Sequence, residues 1–549
     1  MSRLTGVGVS SGRAAGPIVR VADPLPEPAA TPAPADLVAE AARISPAADA
    51  VAQGLFQRAA KVGGDAKAVL ETTAAMAMDP ALTSQAEQLV TTRSLPAARA
   101  VFEAANGFAD ALRAAGGYMA ERARDVHDVR DRIIAVIEGV TPPGVPEITA
   151  PSVLVARDLA PADTADLDPE LVLALVTEEG GPTSHTAILA RALGIPAVVA
   201  VRGVLGVPAS GVPASGATVD GDEGTVELSD AEVAVRAAER PEHADWDGVG
   251  QTSDGAPVKV LANVGSATDS TAAVEAGAQG VGLFRTEFCY LGADVEPDVA
   301  TQRAAYAEVL APFAGKPVVV RTLDAGADKP LAFLDMGVEP NPALGVRGLR
   351  VAFDRPDLVD TQLEAIAGAA QDSGAEVSVM APMVATADEA AWFAERARAR
   401  GIDRVGVMIE VPAAALSAAE ILQAVDFVSI GTNDLAQYVF AADRMAGALA
   451  GLNDPWQPAL LRLIAIVGQA GRHVDKSVGV CGEAASDPHL AGVLAGLGVT
   501  SLSMNASAVR AVGAALAQHP LDTFRKAAEA ALEAPSAAAA RQTTKTTLV

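Results

Sequence analysis

The second half of the chain contains eight apolar runs, and each of them ends in polar or charged residues. The runs are VKVLANVG, GVGLFRTE, PVVVRTLD, VSVMAPM, RVGVMIEVP, FVSIGTNDL, SVGVCGEA and TSLSMN, and segments with helical periodicity separate most of them. Strands that are apolar throughout are typical of a parallel sheet covered by helices. Eight such strands alternating with helices predict a closed (β/α)8 barrel, which we place over residues 251–532.

The barrel gives the polar ends of these runs a common location. In this fold, side chains just past the carboxyl ends of the strands converge on one mouth. So many charged groups at one rim favour a catalytic mouth over a rim that only stabilises the fold. The residues predicted at the mouth are Arg285, Arg321, Asp324, Glu410, Asn433, Asp434, Cys481 and Glu483.

The first half of the chain has a different pattern. Residues 37–139 are rich in alanine and carry apolar residues at three- and four-residue spacing, which predicts several packed helices. Breaks are expected at Gly63-Gly64, Asp79-Pro80, Leu95-Pro96 and Gly116-Gly117. Strand-like segments flank this block, such as GPIVRVA before it and PSVLVARDL after it. The pattern indicates a helical bundle inserted into a small α/β unit.

These patterns indicate an α/β multidomain protein. A linker between its two halves would let them move against each other. We predict an α/β domain from residues 1–30 and 146–228, a helical insert over 31–145, a linker over 229–250, the barrel over 251–532 and a disordered tail over 533–549.

The charge of the chain limits its partners. Lys and Arg number 41 against 68 Asp and Glu, a formal charge of −27 that repels nucleic acid and anionic membrane surfaces. The start, MSRLTGVGVSSGRAAG, lacks an apolar segment of signal-peptide length, and no window offers about 18 uninterrupted apolar residues. We therefore expect a cytoplasmic protein. Cys289 and Cys481, far apart, cannot form a disulfide framework.

The segment GGPTSHTAILAR holds His185, one of only six histidines. Thr183 and Ser184 suit a helix N-cap and Gly194 suits the helix end, so His185 is expected in a first helical turn. Free N–H groups and the helix dipole there favour an anion such as phosphate, which makes the imidazole a candidate phosphoryl acceptor. A histidine that only caps or packs is the alternative. A metal ligand is less favoured because no Cys or His lies nearby.

Two motifs resemble those of a known family. GGPTSHTAILARALGIPAVV resembles the phosphohistidine signature of Enzyme I, the phosphoenolpyruvate–protein phosphotransferase of the sugar phosphotransferase system, and VSIGTNDLAQY resembles its second signature. The resemblance runs from the GVGVSSGRAAG opening to about Ala530. It implies that His185 takes the phosphoryl group of phosphoenolpyruvate and passes it to the phosphocarrier protein HPr, the first step of sugar uptake. Pro182 stands where some members carry Arg.

The resemblance also implies roles for the barrel residues. Guanidinium forks suit a substrate that bears a phosphate and a carboxylate. Glu410 and Asp434 match the Mg²⁺ ligands of the family, and carboxylates with substrate oxygens suit that ion. Cys481 matches the cysteine that protonates the pyruvate enolate, whereas Cys289 is expected to be structural. The implied substrate contacts are Arg285, Arg321, Arg347, Lys329, Asn433 and Arg444.

The resemblance implies two protein contacts as well. The helical insert matches the region that docks HPr, although the family's histidine in the second insert helix is Thr73 here. The barrel is implied to form a homodimer.

Two other functions remain as alternatives. A relative of pyruvate phosphate dikinase or phosphoenolpyruvate synthase would share the phosphohistidine segment and the barrel, but it needs an ATP-binding domain, and only the helical block precedes the histidine motif. A non-catalytic scaffold that binds HPr would be favoured by eroded motifs, yet His185, Glu410, Asp434 and Cys481 are all present.

Overall fold

The computed structural model divides into two compact units, Met1–Glu239 and Arg240–Val549. In the described part of the chain, no helix is long and apolar enough to cross a membrane. The structure describes residues 2–10, 12–21, 25–60, 64–115, 117–142, 144–146, 148–159, 161–164, 167–181, 185–206, 215–231, 233–237, 246–290, 293, 295–326, 331, 333–334, 337, 339–444 and 446–548.

The first unit is built on an eight-stranded sheet with the order β1-β8-β7-β3-β4-β5-β6-β2. Its central strands β3 to β6 are parallel, and the flanking pairs are antiparallel. The strands are β1 (Ser2–Thr5), β2 (Val7–Ser10), β3 (Arg13–Arg20), β4 (Ser152–Ala156), β5 (Val172–Thr177), β6 (Ala197–Val199), β7 (Gly216–Asp220) and β8 (Thr225–Ser229).

Strands β4 and β5 are buried along their whole length. Alternate residues of β4 enter separate apolar clusters, Val153 and Val155 in one and Leu154 and Ala156 in the other. Side chains alternate between the faces of a sheet, so both faces of this sheet are covered. The sequence accordingly shows apolar runs here without polar alternation.

The helical block lies between β3 and β4. Asp79 caps one helix by accepting from the N–H of Ala81, and Pro80 occupies its first turn, so the predicted break there is confirmed. Thr73, which the resemblance placed in the second insert helix, is buried in the third helix of the block. The helices are α1 (Leu37–Ala41), α2 (Ile44–Ala59), α3 (Gly64–Ala77), α4 (Pro80–Arg93), α5 (Ala97–Ala115) and α6 (Gly117–Glu138), followed in the α/β part by α7 (Pro161–Thr164) and α8 (His185–Leu193).

The second unit is the predicted barrel. Its eight strands are all parallel and close in the order β10-β11-β12-β13-β14-β15-β16-β9. Each apolar run identified in the sequence coincides with one of them, so the fold prediction is confirmed. The strands are β9 (Lys259–Val264), β10 (Val281–Arg285), β11 (Pro317–Arg321), β12 (Glu376–Val384), β13 (Val405–Ile409), β14 (Phe427–Ile430), β15 (Ser477–Val480) and β16 (Ser501–Met504).

Helices cover the outside of the barrel, and a large apolar core lies between them and the strands. A smaller cluster inside the barrel contains Leu283, Met380, Met408, Phe427 and Cys481. The helices are α9 (Ala267–Glu275), α10 (Val299–Leu310), α11 (Leu349–Asp354), α12 (Pro356–Ser373), α13 (Ala387–Ala399), α14 (Pro412–Leu416), α15 (Ala418–Ala424), α16 (Thr432–Phe440), α17 (Pro458–Val474), α18 (Pro488–Leu497), α19 (Ala506–Leu516), α20 (Leu521–Glu533) and α21 (Ala537–Leu548).

The prediction that residues 533–549 form a disordered tail is wrong. Residues Ala537–Leu548 form α21, and Ala537, Ala540 and Thr544 are buried on one face of it. These residues recur at intervals of three and four, which is the spacing of one helical face. Small side chains allow close packing, so an alanine- and threonine-rich segment forms an ordered helix here.

The predicted linker, residues 229–250, begins in one unit and ends in the other. Arg236 exchanges backbone hydrogen bonds with Ala15 at 2.8 Å, within the first unit. In the second unit, the indole of Trp246 packs against Gly513, where an added Cβ would lie 2.4 Å from the ring. Residues 238–245 lie outside the described part, and the linker stays a prediction.

Candidate active site

Arg321 ends β11 and is held by two carboxylates. Its guanidinium lies 3.0 Å from Oε1 of Glu287, which follows β10, and 3.4 Å from Oδ2 of Asp324. The same Glu287 oxygen accepts the N–H of Asp324 at 2.9 Å. Burial by itself would lower the pKa of Arg321, but Glu287, Asp324 and Glu410 raise it above its ordinary value. Arg321 is therefore a fixed positive charge at the mouth.

Asp324 also binds a second arginine. Arg347, only 1% exposed, lies 3.1 Å from Oδ2 of Asp324 and 3.3 Å from Oδ1 of Asp434. Arg444 approaches the other oxygen of Asp434 at 3.6 Å. These contacts form one continuous ion network. Its members are Arg321, Arg347, Arg444, Asp324 and Asp434. The network collects side chains from loops far apart in sequence, as the barrel topology predicts.

Arg285 differs from these arginines. It ends β10 with an exposed side chain. Among the described residues it makes no ion pair with a carboxylate, in contrast to Arg321 and Arg347. Its guanidinium fork is therefore available to an anionic ligand.

Glu410 lies directly after β13 and is buried. Its Oε2 accepts the N–H of Met383 at 2.9 Å. Met383 has a φ of 59°, a conformation that costs a non-glycine residue about 1–3 kcal/mol. A Cβ at Gly431 would lie 2.5 Å from Glu410 Oε1, so that position must lack a side chain. The backbone is arranged around this carboxylate.

Glu410 and Asp434 interact unfavourably with each other. Burial, and then the charges of Asp434 and Asp324, raise the pKa of Glu410 to about 7. A bound cation would relieve this repulsion. The described residues include no group of three or more His, Cys, Asp and Glu side chains able to hold a metal, so among them a metal here would meet two carboxylates at most. Two carboxylates completed by substrate oxygens and water fit Mg²⁺.

Cys481 follows β15 and is buried inside the barrel. Its thiol lies 3.6 Å from the carbonyl oxygen of Ile430, and its own carbonyl oxygen accepts from Asn263 at 3.2 Å. Burial raises the pKa of the Cys481 thiol to about 11, so the sulfur stays protonated at neutral pH. A protonated thiol is suited to giving a proton and poorly suited to nucleophilic attack.

Asn433 links the segment that follows β14 to the cysteine loop, which follows β15 and begins at Cys481. Its side-chain oxygen accepts the N–H of Glu483 at 3.1 Å. Asn433 lies in the first turn of α16, beside Asp434, so one short segment contacts both the ion network and the cysteine loop. This bond accounts for the position of Glu483, whose side-chain role the sequence left open.

The phosphohistidine segment lies in the first unit. His185 is the first residue of α8, which follows β5, and Thr186 next to it is buried. Thr183 and Ser184, the predicted cap, lie outside the described residues, as do Pro182, Lys329 and the side chain of His185. The role of His185 is therefore still a prediction.

Sequence reasoning missed Glu287 and Met383. Glu287 stands two residues after Arg285 in the run GVGLFRTE, which gave a weak signal. Its pairing with Arg321 depends on the neighbouring strand and is not visible in local sequence. Nothing in the sequence marks Met383, since only the folded backbone gives it a positive φ.

The buried network makes a stability prediction. Replacing Asp324→Ala leaves two buried guanidiniums short of a partner and should cost the barrel about 3 kcal/mol. Urea unfolding followed by circular dichroism measures this. The matched control is Asp372→Ala, which removes an exposed pair with Arg303 and should hardly move the midpoint. Equal shifts for both variants would show that Asp324 has no special structural role.

Comparison with known proteins defines first the class of protein. Residues 242–521 match the family described as PEP-utilising enzyme, PEP-binding domain. Residues 148–224 match the mobile domain of PEP-utilising enzymes, and residues 5–122 match their N-terminal domain. The three matched domains are thus those of an enzyme that uses phosphoenolpyruvate.

Relatives that match over most of the chain then identify the family. The chain is 52% identical to the phosphoenolpyruvate-protein phosphotransferase of Streptomyces coelicolor over 98% of both chains. It is 41% identical to that of Haloferax volcanii over 87% of both. A solution structure of Enzyme I is 32% identical over 41% of this chain and 92% of that one, with a TM-score of 0.36. The chain belongs to the phosphoenolpyruvate-protein phosphotransferase family, as its two motifs predicted.

Proposed function

We propose that this protein transfers the phosphoryl group of phosphoenolpyruvate to His185 and then to the phosphocarrier protein HPr. The observation that supports this most is the barrel mouth, where Arg321, Arg347 and Arg444 form an ion network with Asp324 and Asp434. The buried Glu410 and Cys481 follow two other strands of the same barrel. Relatives that match over most of the chain are named as phosphotransferases, which favours this function over a dikinase. The intact set of mouth residues argues against a non-catalytic scaffold.

The arginines bind the substrate in this proposal. Arg285 presents an available fork, whereas Arg321, Arg347 and Arg444 are oriented by carboxylates. Their combined charge suits the phosphate and the carboxylate of phosphoenolpyruvate. Asn433, and Lys329 from the family motif, complete the proposed substrate contacts.

Glu410 and Asp434 would hold Mg²⁺ with the substrate. The bound ion would supply a charge that offsets the transferring phosphoryl group and the developing enolate. Without it, both carboxylates would face an anionic substrate.

The chemical step divides into two bond changes. A nitrogen of His185 forms a bond to phosphorus while the bond from phosphorus to the enol oxygen breaks, and the electron pair of that bond remains on the enolate. Cys481 then gives its S–H proton to the methylene carbon, which yields pyruvate, and the thiolate regains a proton from solvent. The raised thiol pKa supports this role, because the proton is present at the start.

His185 and the barrel mouth belong to different units. The proposed cycle therefore requires the first unit to move, and we place the hinge in residues 229–250. We also infer that HPr docks on the helical insert, residues 31–145, that the barrel mediates a homodimer, and that the protein works in the cytoplasm.

Cys481→Ser separates the two half-reactions. We expect conversion of phosphoenolpyruvate to pyruvate to fall by at least about a hundredfold, since a general acid is lost. Phosphoryl exchange between His185 and HPr should be largely unchanged, because it needs no carbon protonation. Pyruvate release and exchange of labelled phosphate measure the two reactions. Cys289→Ser is the control and should keep both, while an equal decrease of both in Cys481→Ser would leave the thiol a structural role only.

A further inference from the structure

Besides its buried face, the C-terminal helix α21 carries an arginine that pairs with the barrel. The guanidinium of Arg541 binds both carboxylate oxygens of Asp454 at 2.7 Å. It also lies over the ring of Trp456, 5.7 Å from the centroid. The side chains of Arg541 and Asp454 are only 24% and 12% exposed. A shielded, two-point pair of this kind fixes geometry as well as adding binding energy.

Asp454 lies in the segment that carries Arg444. This segment runs from the end of α16 to the start of α17, and Asn453 donates to the carbonyl oxygen of Ala442 across it at 3.4 Å. Arg444 in turn donates its backbone N–H to the side chain of Gln437 at 3.0 Å. The carboxylate of Asp454 also accepts the N–H of Trp456 at 3.0 Å. Hydrogen bonds within the segment thus connect the part that carries Arg444 to Asp454 and Trp456, which Arg541 contacts.

Trp456 connects this segment to the cysteine loop. Its indole N–H donates to Oδ2 of Asp487 at 2.7 Å, and Trp456 is 1% exposed. The other oxygen of Asp487 caps α18 by accepting from His489 and Leu490. Asp487 ends the loop that begins at Cys481. The segments that carry Arg444 and Cys481 therefore meet at one buried indole.

We propose that Arg541 is a positioning residue for the barrel mouth. Through Asp454, Trp456 and Asp487, which we call the tryptophan node, α21 holds the Arg444 segment and the Cys481 loop in their binding geometry. The proposal rests on the substrate roles proposed above for these loops. Helix α21 lies outside residues 242–521, so the match to the PEP-binding domain gives it no role.

The test uses Arg541→Gln in the full-length protein. We expect the KM for phosphoenolpyruvate to rise about tenfold, because a small displacement of the Arg444 segment weakens substrate binding. Hydrogen exchange should become faster in peptides covering residues 442–457 and 481–487. Phosphoryl exchange between His185 and HPr should stay at the wild-type rate, because it does not use the barrel mouth. If α21 served only the stability of the fold, Arg541→Gln would lower the thermal stability and leave the KM and these exchange rates unchanged.

Two further variants sharpen the result. Arg525→Gln changes an exposed arginine on α20 and should match the wild type in every measurement. Arg541→Lys keeps the charge but loses the planar fork, so its KM should lie between those of the wild type and Arg541→Gln. If Arg541→Gln does not fold, the Lys variant alone decides the question.

The experiment distinguishes failure of the positioning role from failure of the proposed function. A wild-type KM and wild-type exchange rates in the Arg541 variant would overturn the positioning role. If the wild-type protein itself took no phosphoryl group from phosphoenolpyruvate, the proposed function would be at fault. Exchange at residues 442–457 and 481–487 would then still decide whether Arg541 orders the tryptophan node.

Discussion

The His185→Ala protein is expected to take up no phosphoryl group from labelled phosphoenolpyruvate. The imidazole is the proposed covalent acceptor, and alanine offers no nucleophile in its place. His185 begins α8, where an N-terminal position on a helix favours the added phosphate. Labelling followed by gel separation and counting measures the effect.

The control for this experiment is His473→Ala. His473 is an exposed histidine in the last turn of α17, and its replacement should leave labelling intact. Circular dichroism of both variants checks that they are folded. Labelling of the His185 variant at the wild-type level would remove His185 from the mechanism.

Glu410→Gln is expected to reduce the rate of phosphorylation by phosphoenolpyruvate by about three orders of magnitude. Glutamine keeps the shape of the side chain and can still accept the N–H of Met383, so the change removes mainly the charge. The proposed Mg²⁺ site would then retain a single carboxylate, Asp434. Chelation of divalent metal should have the same effect on the wild-type protein, and added Mg²⁺ should reverse it. Initial rates of His185 labelling measure both.

Asp426→Asn provides the matched control. Asp426 precedes β14 and accepts the N–H of Val405, the first residue of β13, so it lies at the opposite end of the barrel strands. Residues at that end contribute to stability, and the substitution should leave the rate unchanged. Metal-independent phosphorylation at the wild-type rate would contradict the proposed site.

The barrel could be predicted from sequence because its signal is local. Each strand is a short apolar run that ends in a polar residue, and parallel burial leaves no polar alternation to obscure it. The residues at the strand ends, such as Arg321 and Glu410, follow directly from the topology. The break at Asp79-Pro80 was also readable, since capping depends on adjacent residues.

Features that depend on distant contacts could not be predicted. Strands β1 and β2 are separated only by Gly6, yet they lie at opposite edges of the first sheet. The sequence of α21 predicts disorder because its composition is simple. The face on which it packs becomes evident only when the neighbouring helices are in place. Likewise, Asp324 is shared between Arg321 and Arg347 only because the segment between β11 and α11 folds back, since Arg347 is 23 residues from Asp324 in sequence.

The central claim is that the phosphoryl group passes through His185, and its location on the wild-type protein tests this most directly. The protein is incubated with phosphoenolpyruvate and Mg²⁺, digested at alkaline pH, and the modified peptide is identified by mass spectrometry. We predict one phosphoryl group on the peptide that contains His185, labile to acid and lost when HPr is added. Phosphate on another residue, or an acid-stable adduct that HPr does not remove, would contradict the proposed mechanism.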